Sequence, residues 1–371
     1  MERNIKLDNV WKRYGQVEAV KGVNFECRDG EFFCLLGPSG AGKTSILKMV
    51  AGIEKVTSGN IFIGGRLVNE LKPQERDVAM MFENYALYPH LTVFENLASP
   101  LRSPAVKGKY SSEEIKRTVT RVAEMLSIGH LLSRYPRQLS GGQKQRAALG
   151  RVLVRKASVF LLDEPISHLD AKLRHEMRVE LKRIHREIRA AFVYATPDQL
   201  EAMSMADTIA VLREGVLQQV GTPDELYNYP ANEFVAGFIG EPPMNFLDGE
   251  LEEIGGGLVI RAGEEFEISV PETLASKLRS SIEGRGVRVG VRPTDLGLVA
   301  TESCGESSLQ GEVYVCEPLG RYTVITVKIG DAFLKVKVEG HFRVREKEKV
   351  GLSLDRDRLY FFDAQTGNAL I

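Results

Sequence analysis

Eight residues, Gly37-Pro38-Ser39-Gly40-Ala41-Gly42-Lys43-Thr44, constrain this chain more than any other stretch. They fit the spacing G-x-x-x-x-G-K-[ST] in the context that gives the pattern meaning. The apolar run "EFFCLL" ahead of them reads as a buried strand, and "SILKMVAG" behind them as an apolar helix. Glycines at these positions let backbone N–H groups wrap phosphate oxygens at a helix N-terminus. Lys43 reaches the outer phosphates, Thr44 offers a hydroxyl to Mg2+, and Ser45 completes the binding segment. A plain glycine turn is the bland alternative, and the flanking strand and helix argue against it. An α/β fold holding a nucleotide is the expectation.

The following segments keep that alternation. "SEEIKRTVTRVAEMLSI" at 112–128 has helical periodicity, "ASVFLLDEP" is a second buried strand and "AFVYAT" a third. "AKLRHEMRVELKRIHREIRA" is a helix with Leu173, Met177, Leu181, Ile184 and Ile188 on one face. The sheet is expected to be largely parallel. Phosphate chemistry also needs a second magnesium contact and a base for water. "VFLLDEP" supplies both, with Asp163 holding the metal and Glu164 able to accept a proton. Alone, an acidic pair at a strand end reads as a solvated loop; the phosphate loop upstream reverses that balance.

"LSGGQKQR" at 139–146 separates this chain from other phosphate-loop enzymes. Ser140 can cap a helix whose first turn, Gly141-Gly142, lets backbone donors approach a phosphate. With this segment the chain resembles the ATP-binding subunits of ABC transporters. The resemblance implies that Leu139, Ser140, Gly141, Gly142 and Gln143 close over ATP held by a second subunit, so that sites form only in a head-to-tail dimer. "WKRYGQVEAVKGVNF" resembles the family's adenine-stacking segment, with Tyr14 as the aromatic; taken alone, core packing is the commoner role of such a ring. "SHLDAK" resembles the D-loop, with Ser167, His168 and Asp170. "MMFENYALYPHLTVFENL" resembles the loop that senses the γ-phosphate and faces the membrane subunits, in the wording of carbohydrate importers of the maltose and glycerol-phosphate type.

Three positions depart from the family's pattern. Members read roughly Thr-His-Asp-Gln where this chain has Thr196-Pro197-Asp198-Gln199, so Pro197 occupies the place of the switch histidine that contacts the γ-phosphate. Proline has no side-chain donor and no backbone N–H. Glu83 replaces the sensing-loop Gln; a carboxylate there can still ligate Mg2+, together with Thr44 and Asp163, but adds negative charge beside Glu164. His168 stands where the D-loop usually has Asn. The resemblance with these departures implies a slow or dead site in this subunit and a histidine-containing paralogue as its dimer partner, a homodimer being the alternative.

From "FIGEPPMNFL" the texture changes to short alternating runs such as "GRGVRVGVRP" and "AFLKVKVEG", the pattern of a small β-barrel. This part resembles the OB-like regulatory extension of the same importers. The expected fold is thus an α/β ABC ATPase domain over 1–240, with a mixed, largely parallel sheet and a helical subdomain, followed by an all-β OB-like domain over 241–371. Residues 241–371 carry 16 Lys and Arg against 22 Asp and Glu, which argues against a nucleic-acid partner there. No apolar run approaches the roughly 20 residues that cross a bilayer, and the start lacks a signal-peptide core. The expected location is therefore peripheral, on the cytoplasmic side of the membrane. Expected partners are two membrane subunits, a second ATP-binding subunit and, indirectly, an extracytoplasmic solute-binding protein. The alternative class is a soluble ABC-type ATPase acting on nucleic acid or ribosomes. The span from Lys43 to Leu139 is too short for the coiled-coil insert of the DNA-repair members, and the single cassette differs from the two of translation factors. Cys27, Cys34, Cys304 and Cys316 lack metal spacing, and His90, His130, His175, His185 and His341 read as structural or solvated.

Overall fold

The computed structural model describes residues 4–82, 87–103, 106, 108–255, 257–262, 266–270, 272–281, 286–299, 308–340 and 342–370. The chain divides into two compact units, Met1–Pro223 and Asp224–Ile371.

The first unit opens with β1 (Ile5–Tyr14) and β2 (Val17–Cys27), followed by β3 (Phe32–Leu36), α1 (Lys43–Ala51), β4 (Ser58–Ile63), β5 (Arg66–Leu67) and β6 (Val78–Met81). Then come α2 (Val93–Ala98), α3 (Ser112–Met125), α4 (Gly141–Leu153), β7 (Val159–Asp163), α5 (Ala171–Ile188), β8 (Ala191–Thr196), α6 (Gln199–Met205), β9 (Thr208–Arg213) and β10 (Val216–Gly221). The larger sheet has the order β10-β9-β3-β8-β7-β6, and every pair in it is parallel except β10 with β9. β3 and β7 are buried at all five positions and β8 at all six, which is why they read as unbroken apolar runs: a parallel strand covered on both faces has no solvent side to alternate with. A smaller antiparallel sheet, β2-β1-β4-β5, contributes to one core with β3 and α1, where Phe25 stacks on Phe33 at 4.8 Å.

α3 starts with a reciprocal capping box between Ser111 and Glu114 and ends at Met125, short of the periodic pattern, because Ser127 turns into the left-handed region at φ 57°. In α5 the fully buried residues are Met177, Leu181, Ile184 and His185. His185 sits edge-on to Phe32 and Phe192, at 5.3 and 5.0 Å, and burial pulls its imidazole below the usual value, so it is a packed residue in the otherwise basic run 182–189.

The second unit begins with α7 (Pro223–Asn228, its first residue at the boundary) and α8 (Glu233–Phe238). These helices group with the β unit through contacts such as the Arg288–Glu233 ion pair at 2.7 Å and the packing of Ala236 on Met244 and Phe362. β11 (Asn245–Ile254), β12 (Gly257–Ala262), β13 (Phe266–Ser269), α9 (Glu272–Ser281), β14 (Gly286–Val291), β15 (Leu296–Val299), β16 (Ser308–Pro318), β17 (Tyr322–Ile329), β18 (Ala332–Glu339), β19 (Lys349–Leu354) and β20 (Tyr360–Asp363) follow. They form two antiparallel five-stranded sheets, β13-β12-β11-β14-β20 and β15-β19-β16-β17-β18, around one apolar core. α9 is an addition to the all-β reading: Ala275 and Leu278, three apart, bury one helical stripe in that core.

Candidate active site

The loop between β3 and α1 is shaped by two of its glycines. A β-carbon at Gly37 would lie 2.2 Å from the Leu212 carbonyl oxygen, and one at Gly42 2.5 Å from that of Ala19; Gly42 also has φ 99°. Backbone crowding on both sides therefore fixes the loop and leaves only glycine able to occupy these points. Lys43, 4% exposed, turns its ammonium back into the loop and donates to the carbonyls of Gly37 at 2.8 Å and Pro38 at 3.0 Å. Burial pulls that ammonium below its usual value, while the carboxylates of Glu164 and Asp163 hold it up. Nζ lies 3.9 Å from Glu164 Oε1.

Sheet order brings the acidic pair here. β8 runs between β3 and β7, pairing Leu36 with Thr196 on one side and Asp163 with Ala195 on the other. The ends of the three strands are thus level, and Asp163 Oδ1 accepts a hydrogen bond from the Thr44 hydroxyl at 2.9 Å. A hydroxyl and a carboxylate converging beside a phosphate loop are hard oxygen donors suited to magnesium. Among the described residues no group of three or more His, Cys, Asp or Glu is placed to hold a metal unaided. Glu164 adopts φ 44°, with its N–H donated to Ala195 O at 3.0 Å; a left-handed conformation outside glycine costs about 1–3 kcal/mol and clusters at functional positions.

Tyr14, half exposed, places its hydroxyl 3.5 Å from Ser45 Oγ, at the mouth of the same loop. The sequence reading missed its support. Lys12 Nζ lies 4.6 Å from the Tyr14 ring centre while donating to Glu54 Oε2 and Lys55 O, both at 2.8 Å. Lys12 and Tyr14 are only two residues apart on β1, but the Glu54 anchor that holds Lys12 in place lies 42 residues away and has no local signal.

Pro197 follows directly on Thr196, on the strand between the phosphate loop and Asp163. Its turn is held from both sides. Asp198 N–H donates to Thr196 Oγ1 at 3.0 Å, Asp198 Oδ1 caps α6 through the N–H groups of Leu200 and Glu201, and buried Glu201 accepts the hydroxyls of Thr196 and Tyr194 at 2.6 and 2.7 Å. Burial raises the Glu201 carboxyl, against the lowering effect of those two donors.

The signature segment stands elsewhere. Ser140 caps α4 and exchanges hydrogen bonds with Gln143, Leu139 is buried beneath, and a β-carbon on Gly141 would meet nothing within 4 Å. Among the described residues no hydrogen bond or ion pair joins 139–143 to 37–45. In the D-loop Ser167 Oγ donates to Glu164 O at 3.0 Å, Asp170 caps α5, and His168 is exposed. Glu83 and Tyr85 lie outside the described residues. The segment beyond them is clamped by Asn96, fully buried, which accepts from Tyr88 N–H at 2.7 Å and donates to the carbonyls of Tyr88, Leu91 and Thr92.

Family models match in three places: ABC transporter over residues 20–167, MalK OB fold domain over 240–296 and TOBE domain over 289–362. The chain is 45% identical to the trehalose/maltose import ATP-binding protein MalK of Thermococcus litoralis and 45% identical to the sn-glycerol-3-phosphate import ATP-binding protein UgpC of Cereibacter sphaeroides, with 99% of each chain covered in both cases. It is 40% identical to the oligosaccharides import ATP-binding protein MsmX of Bacillus subtilis, over 98% of each chain. Its fold matches the dimeric structure of the bacterial ABC transporter cassette MJ0796 with TM-score 0.54 and 31% identity, over 59% of this chain and 98% of that one. A post-hydrolysis form of the same cassette, bound to ADP and Pi, matches equally, with TM-score 0.54.

Proposed function

The chain belongs to the ABC transporter family, among the ATP-binding subunits of importers, and from that premise we propose that it energises uptake of a sugar, polyol or glycerol-phosphate-like solute from an impaired nucleotide site of its own. Full-length relatives that are import subunits support this reading and give none to an ATPase acting on nucleic acid or ribosomes. The proposed division of labour is as follows. Tyr14 stacks the base, residues 37–45 wrap the phosphates, and Lys43 exchanges its two loop carbonyls for phosphate oxygens. Thr44 and Asp163, with Glu83, would hold Mg2+, which would supply charge neutralisation on the transferred phosphoryl group. Glu164 orients the attacking water and accepts its proton. Residues 139–143 and the D-loop residues Ser167, His168 and Asp170 serve a second ATP-binding subunit. The functional ATPase domain runs to residue 240 and the OB-like regulatory domain from 241. Two membrane subunits dock along 83–97, which places the chain peripherally on the cytoplasmic face of the membrane; among the described residues no helix is long and apolar enough to cross one.

The observation that carries the impaired-site reading is Pro197 directly after β8, one residue past the Leu36–Thr196 pair and two past the Asp163–Ala195 pair, offering no donor. A histidine-containing paralogue would then provide the competent site of a heterodimer. Affinity purification of the full chain from native membranes in mild detergent tests the reading. Two membrane proteins and a second ATP-binding chain are expected; recovery of ribosomal particles or nucleic acid instead, or of a lone homodimer, would contradict it. Lys43→Ala should abolish nucleotide binding in equilibrium dialysis, and tight binding by that variant would displace the phosphates from this loop.

A further inference from the structure

A cleft of about 690 Å³ opens in the first unit among residues that the nucleotide site does not use. Its walls include α3, with Thr118 and Arg121; the connection from α4 to β7, with Arg155 and Lys156; the C-terminal end of α5, with Arg183 and Ile188; and Asp77 ahead of β6. The volume is that of an ordinary small-molecule site. We propose that this cleft binds a small organic phosphate, its charged head among Arg121, Arg155 and Lys156 and its uncharged body on the apolar floor.

The charge distribution singles out the head position. Arg183 is already used: it pairs with Glu180 at 2.7 Å and Glu187 at 2.9 Å, and donates to Met125 O at 2.7 Å. Among the described residues Arg121, Arg155 and Lys156 form no ion pair, although all three line one cleft; the Lys156 charge helps to lower the carboxyl of Glu114, which stands outside the lining. Of the acidic side chains on the walls, Glu187 is held by Arg183 and Asp77 accepts the Ser158 hydroxyl at 2.6 Å; Glu124 is exposed. Like charges lining one cleft repel one another, so an anion that bridges them gains from relieving that repulsion as well as from its own contacts. Two guanidinium forks and an ammonium offer more donors than a single carboxylate can accept at once, whereas a phosphate dianion presents three terminal oxygens. Val122, Val154, Ala157 and Phe160, all buried, form the floor and favour an uncharged body over a bare ion.

An occupant would bridge elements that lead away from different parts of the site. α4 begins at the signature segment and leads into Arg155, while α5 begins at Asp170, just past Glu164. The seam already carries two ties, from Arg183 to Met125 O and from Arg146 to Leu126 O at 3.0 Å. The inference needs neither the impaired site nor the heterodimer.

Phenyl phosphate is the probe, titrated calorimetrically into the full chain with the phosphate loop saturated by Mg2+ and a non-hydrolysable ATP analogue; benzoate and benzyl alcohol are the comparators. Saturable one-to-one binding of phenyl phosphate is expected, at least tenfold tighter than either comparator, and weakened at least tenfold by Arg121→Ala with Arg155→Ala. Arg178→Ala, outside the cleft, should leave it unchanged. Thr118→Trp, which fills the cleft and keeps every cation, should abolish it, so the test survives if the double variant fails to fold. Absence of saturable binding, indifference to both cleft variants, or equal loss with Arg178→Ala would overturn the proposal.

Discussion

Restoring a side chain at residue 197 gives the most direct measure of what the β8 terminus does. Adjacent strands lie about 4.8 Å apart, and Thr196 pairs with Leu36, so residue 197 stands one step beyond that pair, beside the start of the phosphate loop. Pro197→His should present an imidazole there without rebuilding the turn, because Thr196, Asp198 and Glu201 hold the backbone through their own hydrogen bonds. Losing proline's restriction on the unfolded chain costs about 0.4–1 kcal/mol, a melting shift of a few degrees. Gaining one preorganised donor to the transition state is worth about 10²–10³ in rate, or about 2.7–4 kcal/mol. The assay is steady-state ATP hydrolysis by the purified full chain: wild type, Pro197→His, Pro197→His with Glu83→Gln, and each with Glu164→Gln. Wild-type turnover should be far below the ordinary range for phosphoryl-transfer enzymes of about 1–100 s⁻¹, rise about a hundredfold or more with the histidine, rise further with the glutamine, and vanish whenever Glu164 is replaced. Wild-type turnover already inside that range and unimproved by both restorations would refute the argument that the missing donor limits the site.

Lys12→Met removes the cation from the Tyr14 ring and a partner from Glu54; nucleotide Kd should rise about two- to fivefold, from about 0.5–1 kcal/mol of cation–π contact, with a thermal melt showing about 1–2 kcal/mol of lost stability. Arg292, 1% exposed, donates to the carbonyls of Tyr227, Ala236 and Ile239 and lies 4.1 Å from the Tyr227 ring centre; Arg292→Lys, whose single ammonium cannot serve all three, should destabilise the second unit by at least about 3 kcal/mol in chemical denaturation. Glu201 has its folded pKa raised by burial, so its contribution is fully present below the ordinary carboxyl range and is lost as pH climbs through the raised value. The stability of wild type relative to Glu201→Gln should therefore improve between neutral pH and about pH 4, and a difference independent of pH would contradict the buried, raised carboxyl.

What the amino-acid order determined by itself is the part written in neighbouring residues. The phosphate loop needs a strand, two crowded glycines and a helix start within a few positions of Lys43, and the signature needs Ser140 and Gln143 to cap the helix they begin; both follow from backbone sterics and hydrogen-bond reach along the chain. The all-apolar texture of β3, β7 and β8 likewise declared strands covered on both faces. Tertiary structure decided what those pieces do to one another. Thr44 meets Asp163 across 119 positions because β8 inserts between β3 and β7, and Pro197 gains its place beside the loop from that register. Lys12 neighbours the Tyr14 ring two residues along β1, but reaches Glu54 only after β1 folds beside the turn that follows α1. His185 lies in a run of charges that reads as solvated, yet its rotation on α5 turns it between Phe32 and Phe192. In the alternating run "GRGVRVGVRP" nothing sets Arg292 apart, and its duty to three carbonyls between Tyr227 and Ile239 exists only once the helices before β11 fold back on β14. Local pattern sets which backbone groups must pair and which faces must be buried; the convergence of single side chains waits on how distant strands and helices are aligned, and that alignment is a property of the whole packed chain.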